Sequence, residues 1–208
     1  MLEISWILFI VASVAVILTP GQDMVLVMSR SIAQGAYAGV VTAAGVSVGL
    51  VLHTILATLG VGAVVQASEL LFTLMKILGA GYLIYLGVTL IASSSSATML
   101  ATASPRSDGR LFLDGTISNV SNPKIAIFYF AFLPQFVGAE SENTVLAIFF
   151  LGICFALITF IIKGPVGYFS GLLSTWFRSN PLVLRNIYRL SGITLIVLGV
   201  KLVFEERV

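Results

Sequence analysis

The chain has 208 residues, of which 58% are hydrophobic and 10% charged, with a formal net charge of +2 and a mean hydropathy of +1.07. A soluble domain carries about 25% charged residues to keep its surface wet, so the apolar excess has to face lipid, which excludes a separate soluble catalytic or binding domain. The small charge leaves no footprint for nucleic acid, and the single cysteine, Cys154, excludes an internal disulfide, a two-thiol redox relay and soft-metal capture.

A membrane span needs about 20 mainly apolar residues, and in hydrocarbon only helices or closed barrels satisfy the backbone. Continuous apolar runs without strict alternation favour helices. The first run covers residues 3–29 and is interrupted at Thr19-Pro20-Gly21. Its opening half has the length of a signal-peptide core, but Glu3 precedes it without Lys or Arg and no small-residue cleavage site follows, so it reads as a retained first helix. Five further runs follow at 37–65, 70–92, 115–137, 144–171 and 184–204.

The connections set an orientation, because short loops rich in Lys and Arg stay in the cytoplasm. The first, third and fifth connections carry Arg30, then Arg106 and Arg110, then Arg178, Arg185 and Arg189. The second and fourth carry Glu69, Glu140 and Glu142 instead. Both termini are therefore expected outside. Residues 93–110, with four consecutive serines and Pro105, form the one linker-like segment and divide a single transmembrane domain (1–208) into halves of 1–92 and 111–208.

The halves resemble each other. Leu83-Ile84-Tyr85-Leu86-Gly87-Val88-Thr89-Leu90 recurs as Leu195-Ile196-Val197-Leu198-Gly199-Val200-Lys201-Leu202, and each half opens with a helix broken by proline, at Pro20 and at Pro123. Three spans per half place the halves upside down relative to each other. The expected fold is thus an all-α integral membrane protein of six transmembrane helices in two inverted three-helix repeats, the first and fourth helices broken at proline, an architecture of secondary transporters.

The breaks are where the chemistry concentrates. At Thr19-Pro20-Gly21-Gln22-Asp23 proline removes an amide donor and glycine permits unusual dihedrals, so the helix unwinds and frees backbone groups for a polar cavity. A plain proline kink with Asp23 as its N-cap is the simpler reading of Pro20 alone. An ionisable Asp23 followed by Met24-Val25-Leu26 favours function, because intramembrane carboxylates mark ion or proton paths.

The second break runs Ser118-Asn119-Val120-Ser121-Asn122-Pro123-Lys124. Asn119 and Asn122 both donate and accept hydrogen bonds, and Lys124 lies roughly 15 Å of helix beyond Asp114, a depth that calls for a partner such as Asp23. Lys76 and Lys163 read as interface anchors, the latter near the inner end of its helix. His53, the single histidine, suits either a proton relay or a bond to a backbone carbonyl. Tyr82, Tyr85 and the glycines of the second and third helices read as packing residues.

With these elements in place the chain resembles the lysine exporter superfamily, LysE/RhtB, in its homoserine/threonine efflux-like branch. The supports are Thr19-Pro20-Gly21-x-Asp23, Gly79-Ala80-Gly81-Tyr82-Leu83 with Tyr85-Leu86-Gly87, and Asn122-Pro123-Lys124 leading to Phe132-Leu133-Pro134-Gln135-Phe136. Gln22 stands where the family often has proline. The resemblance spans essentially the whole chain and implies proton-linked export of amino acids or close derivatives across a bacterial inner membrane.

The candidate substrate-binding or coupling residues are Thr19, Pro20, Gly21, Gln22, Asp23, Asn119, Asn122, Pro123 and Lys124, with His53 as a candidate relay. The expected partners are an amino acid, protons and membrane lipid. A homodimer is left open, and no catalytic residue, cofactor or metal is expected. An exporter of another small solute or cation is the alternative, although one His, one Cys and no carboxylate cluster fit transition metals poorly. An intramembrane hydrolase lacks a second buried aspartate or a serine–histidine motif.

Overall fold

Apolar sequence with no water to satisfy its backbone folds into helix, and helix is what the chain forms. The computed structural model describes residues 4–19, 21–67, 69–93, 105–138 and 141–204. Among them are eight α-helices: α1 (Trp6–Leu18), α2 (Gln22–Gln34), α3 (Ala36–Ala67), α4 (Glu69–Ser93), α5 (Asp108–Val120), α6 (Pro123–Ile127), α7 (Thr144–Ser179) and α8 (Pro181–Phe204). A π-helical turn (Phe128–Phe132) and a 3-10 turn (Leu133–Phe136) continue α6.

Among the described residues, two helices contain segments long and apolar enough to cross a membrane, Ala36–Gly60 of α3 and Thr144–Ser170 of α7. The pair α1 and α2, whose axes differ by 53°, makes a third if taken as one bent span. The apolar stretches of α4 and α8 are shorter, Lys76–Thr89 and Gly192–Lys201. Their outer faces, including Leu78, Tyr85, Leu190 and Val197, are exposed apolar surface suited to lipid.

Several boundaries differ from the sequence reading, each for a local reason. The run expected at 115–137 begins seven residues earlier as α5 and is then cut by Ser121-Asn122 and the π turn, because Asn122 and Pro123 start a new helix rather than continue the old one. Helix α2 extends through Gln34, so Arg30 is a buried helical residue rather than part of a loop. Gly35 ends α2 at φ 94°, a conformation open to glycine, and the chain reverses into α3 after that one residue. Helix α7 runs through Gly164-Pro165 to Ser179, and α8 begins at Pro181, so most of the expected fifth connection is helical. Glu3, Pro20, Glu140 and most of the 93–110 linker lie outside the described residues.

Helix α3 packs most extensively against α7 and α5, and α4 against α8. Glycines set the approach. A Cβ on Gly39 would stand 2.6 Å from the Gly167 carbonyl oxygen, and one on Gly152 would stand 2.6 Å from Thr54 Oγ1. Between α4 and α8, a Cβ on Gly87 would meet the Gly192 carbonyl, and one on Gly199 would lie 2.8 Å from the Ala80 carbonyl. Gly45 and Gly115 bring α3 and α5 together through Phe112 and Thr42. Such small-residue faces are how helices draw close without a hydrophobic drive from surrounding lipid.

The two broken segments run antiparallel along each other. The Ser5 amide donates to the Phe136 carbonyl at 2.9 Å, and Ile4 and Val137 form an isolated bridge. Further along, Phe9 meets Phe136 edge-on, Lys124 reaches Val16 and Thr19, and Asp23 meets Asn119 and Asn122. At the far end Arg30 pairs with Asp114, and Gln34 with the Arg106 backbone. The breaks therefore lie abreast.

Candidate functional site

Helix α1 stops at Leu18, and its last carbonyls lack amides to bond. Lys124 supplies donors: Nζ lies 3.2 Å from the Val16 carbonyl oxygen and 3.1 Å from that of Thr19. A cation at a helix C-terminus is also placed well against the dipole. Gly21 permits this approach, since a Cβ there would come within 3.1 Å of Lys124 Nζ. Thr19 turns its hydroxyl back to the Ala15 carbonyl at 2.6 Å.

Helix α2 restarts at Gln22 and carries Asp23 in its first turn, where free amides favour a carboxylate. The carboxylate is 2% exposed and fully engaged. Ser118 Oγ donates to Oδ1 at 3.0 Å, while Asn119 Nδ2 at 2.8 Å and Asn122 Nδ2 at 3.2 Å donate to Oδ2. Lys163 Nζ of α7 lies 3.4 Å from Oδ2 and forms its ion pair. Asn122 also caps α6, its Oδ1 accepting the Lys124 amide at 3.1 Å. Each break thus completes the other, the second closing around the Asp23 carboxylate and returning a lysine to the carbonyls of the first.

Of the residues singled out by sequence, the fold gathers Thr19, Gly21, Gln22, Asp23, Asn119, Asn122 and Lys124 at the crossing. Gln22 donates to the Ser118 carbonyl but is itself exposed, and Pro123 is exposed at the first position of α6. Pro20 is outside the described residues. His53 is 3% exposed, with Nε2 3.2 Å from the Asn119 carbonyl oxygen and its ring stacked on Tyr129 at 5.6 Å. It touches the residue that holds Asp23 rather than Asp23 itself. Tyr82 and Tyr85 lean on each other along α4, with Tyr85 facing outward.

Two expectations change. The cation paired with Asp23 is Lys163, whereas Lys124 is engaged by backbone carbonyls. Lys163 is no interface anchor: α7 extends well past Gly171, which leaves Lys163 in the helix interior and 4% exposed. Ser118 is the other site residue sequence reasoning passed over. Its signal was available, since Asn122 lies four residues after Ser118 and three after Asn119, spacings that bring side chains together on a helical turn.

Beyond this cluster, Arg30 Nη2 lies 3.2 Å from Asp114 Oδ2, and Arg106 Nη1 lies 2.8 Å from Asp114 Oδ1. Gln34 exchanges two bonds of 2.8 Å with the Arg106 backbone. On the other side of the crossing lies an aromatic cluster of Trp6, Phe9, Phe136, Phe132, Phe128 and Phe155, with successive ring centroids 4.5 to 6.2 Å apart. Among the described residues, no three of His, Cys, Asp and Glu are grouped to hold a metal ion.

Comparison with known proteins gives this arrangement its context. The chain is 30% identical over 208 residues to the membrane protein YrhP of Bacillus subtilis, covering 95% of this chain and 97% of that one. It is 29% identical to the leucine efflux protein of Salmonella typhimurium over 153 residues, 73% of this chain and 72% of the relative. It is 27% identical to the homoserine/homoserine lactone efflux protein of the same organism over 173 residues, 83% and 84% of the two chains. No solved structure matches. The model of the LysE type translocator family matches residues 14–206, so this membrane protein belongs to that family, whose members are transporters rather than enzymes.

Proposed function

We propose that the protein is a secondary active exporter of amino acids or close derivatives across the bacterial inner membrane, working by proton antiport. The observation that carries the reading is the buried Asp23 carboxylate at one helix break, held by Ser118, Asn119 and Asn122 of the other and by Lys163. Buried ionisable groups in a membrane chain are costly and mark transport paths. Relatives named as leucine and homoserine efflux proteins favour amino-acid cargo. Cargo ammonium and a proton compete for Asp23, and that competition couples export to proton entry.

An inverted-repeat arrangement of six spans is part of the proposal, and three sets of contacts support it. The Gly39–Gly167 approach of α3 on α7 has a counterpart in Thr54–Gly152, the partners displaced equally along both helices. Gly87–Gly192 and Ala80–Gly199 relate α4 and α8 in the same way, and Gly87 and Gly199 hold the same place in the repeated sequence motif. The antiparallel crossing of the broken segments has the same two-sided character. By the positive-inside rule, the Arg30–Asp114–Arg106 end faces the cytoplasm and both termini face outward.

A counterflow screen of amino acids in proteoliposomes under an imposed pH gradient tests the function. Accumulation of an amino acid that rises with the gradient and collapses with a protonophore is the expected result. Absence of any amino-acid movement by well-folded protein contradicts it.

A further inference from the structure

Resting on that exporter reading, we infer that Lys163 is the residue that receives the cargo carboxylate, leaving Asp23 for the ammonium as a zwitterion enters between them. The two buried lysines of the crossing are differently committed. Lys124 Nζ makes two bonds to the ends of α1, so moving it would uncover carbonyls in an apolar setting. Lys163 Nζ makes one hydrogen bond among the described residues, to Asp23 at 3.4 Å, longer than the 2.7–2.9 Å typical of a charged N–H···O pair. An ammonium has three donors, so two remain for a ligand.

The surroundings of Lys163 favour the same assignment. Thr159 lies one turn earlier on the same face of α7, 1% exposed, and its hydroxyl has no partner among the described residues. Threonine hydroxyls elsewhere in the chain, at Thr42, Thr54, Thr58 and Thr194, bond the carbonyl four residues back. Thr159 does not, and a carboxylate beside Lys163 would accept a hydrogen bond from its hydroxyl. Pro165 stands inside α7 two residues further on and cannot donate to the Ile161 carbonyl, which loosens the helix next to Lys163.

Charge balance completes the case. Asp23 and Lys163 are a neutral pair, and a zwitterion brings one charge of each sign. The pair therefore opens around the cargo without changing the net charge held in the protein, whereas a cargo without a carboxylate leaves Lys163 with no counter-charge.

The test compares an amino acid with its own primary amide as competitors of counterflow in proteoliposomes of the full chain, using leucine, threonine and homoserine. The unaltered protein is expected to prefer acid over amide at least tenfold for each one it transports. Lys163→Gln is expected to bring that ratio within about twofold of unity, and Lys163→Arg to keep it. Lys124→Gln is expected to weaken acid and amide together with the ratio unchanged. A full acid preference retained by Lys163→Gln overturns the inference, as does loss of the preference in Lys124→Gln alone. If Lys163→Gln does not fold, Asp23→Asn/Lys163→Gln removes both buried charges, and the same ratio read by ligand binding to purified protein decides the question. Failure of all three amino acids to move in the unaltered protein counts against the exporter reading itself and is distinct from a persisting acid preference.

Discussion

The two sides of the Asp23 crossing are joined by different chemistry. Toward Arg30, α2 and α5 meet through directional polar contacts, Arg30 and Arg106 on Asp114 and Gln34 on the Arg106 backbone. Toward Trp6, α1 meets the turns after α6 through packed rings, Phe9 on Phe136, which is backed by Phe132 in its own segment, beside the Ser5–Phe136 backbone bond. A polar seam loses its bonds abruptly when separated but exposes groups that water satisfies. An aromatic seam yields gradually and exposes surface that water does not favour, each ring pair adding about 0.5–1.5 kcal/mol beyond its buried area. A carrier that alternates access needs both seams to open in turn, and the polar one is suited to the side where water enters readily.

The largest expected effect comes from the point between the seams. Lys163→Met leaves Asp23 without its ion partner, and breaking a buried pair by removing one member costs about 3–5 kcal/mol. Unfolding of the purified protein is expected to show that loss, with partial recovery in Asp23→Asn/Lys163→Met. Phe136→Ala in the aromatic seam is expected to cost about 3 kcal/mol, since the residue is 1% exposed and touches Phe9 and Phe132. Thermal unfolding reads both variants, and no change in the second would break the comparison.

Smaller changes sharpen it. Gly49→Ala places a Cβ 2.7 Å from the Asn119 Cβ, which displaces Asn119 from Asp23, so export is expected to fall severalfold with little change in the amount of folded protein. Asp114→Asn weakens a partly solvated pair and is expected to cost about 1 kcal/mol. Its clearer readout is access. With Cys154→Ser removing the single cysteine, Ser118→Cys reports on the crossing, and Asp114→Asn is expected to raise its labelling from the Arg30 side. Phe136→Ala is expected not to do so.

The breaks were legible because proline, glycine and asparagine interrupt otherwise continuous apolar sequence, and Asp23 and Lys124 stand out there for the same reason. The partner of Asp23 was not legible. Spacing within one helix says which residues share a face, but nothing in it says which helix that face meets. The end of α7 hid Lys163 further, because hydropathy fades after Gly171 while the helix continues to Ser179. The π turn at Phe128–Phe132 left no trace either, since five consecutive apolar residues look alike in α and π geometry. The paired glycine contacts of α3 with α7 needed coordinates, whereas the repeated motif that accompanies those of α4 with α8 did not.

Proton-driven export by Asp23→Asn in inverted vesicles tests the central claim most directly. The substitution keeps the size and much of the hydrogen bonding of the side chain while removing the charge. The pH gradient is then expected no longer to drive transport, read per amount of folded and inserted protein, because the substitution leaves Lys163 unpaired as Lys163→Met leaves Asp23. Undiminished transport with normal proton coupling would contradict the role given to Asp23.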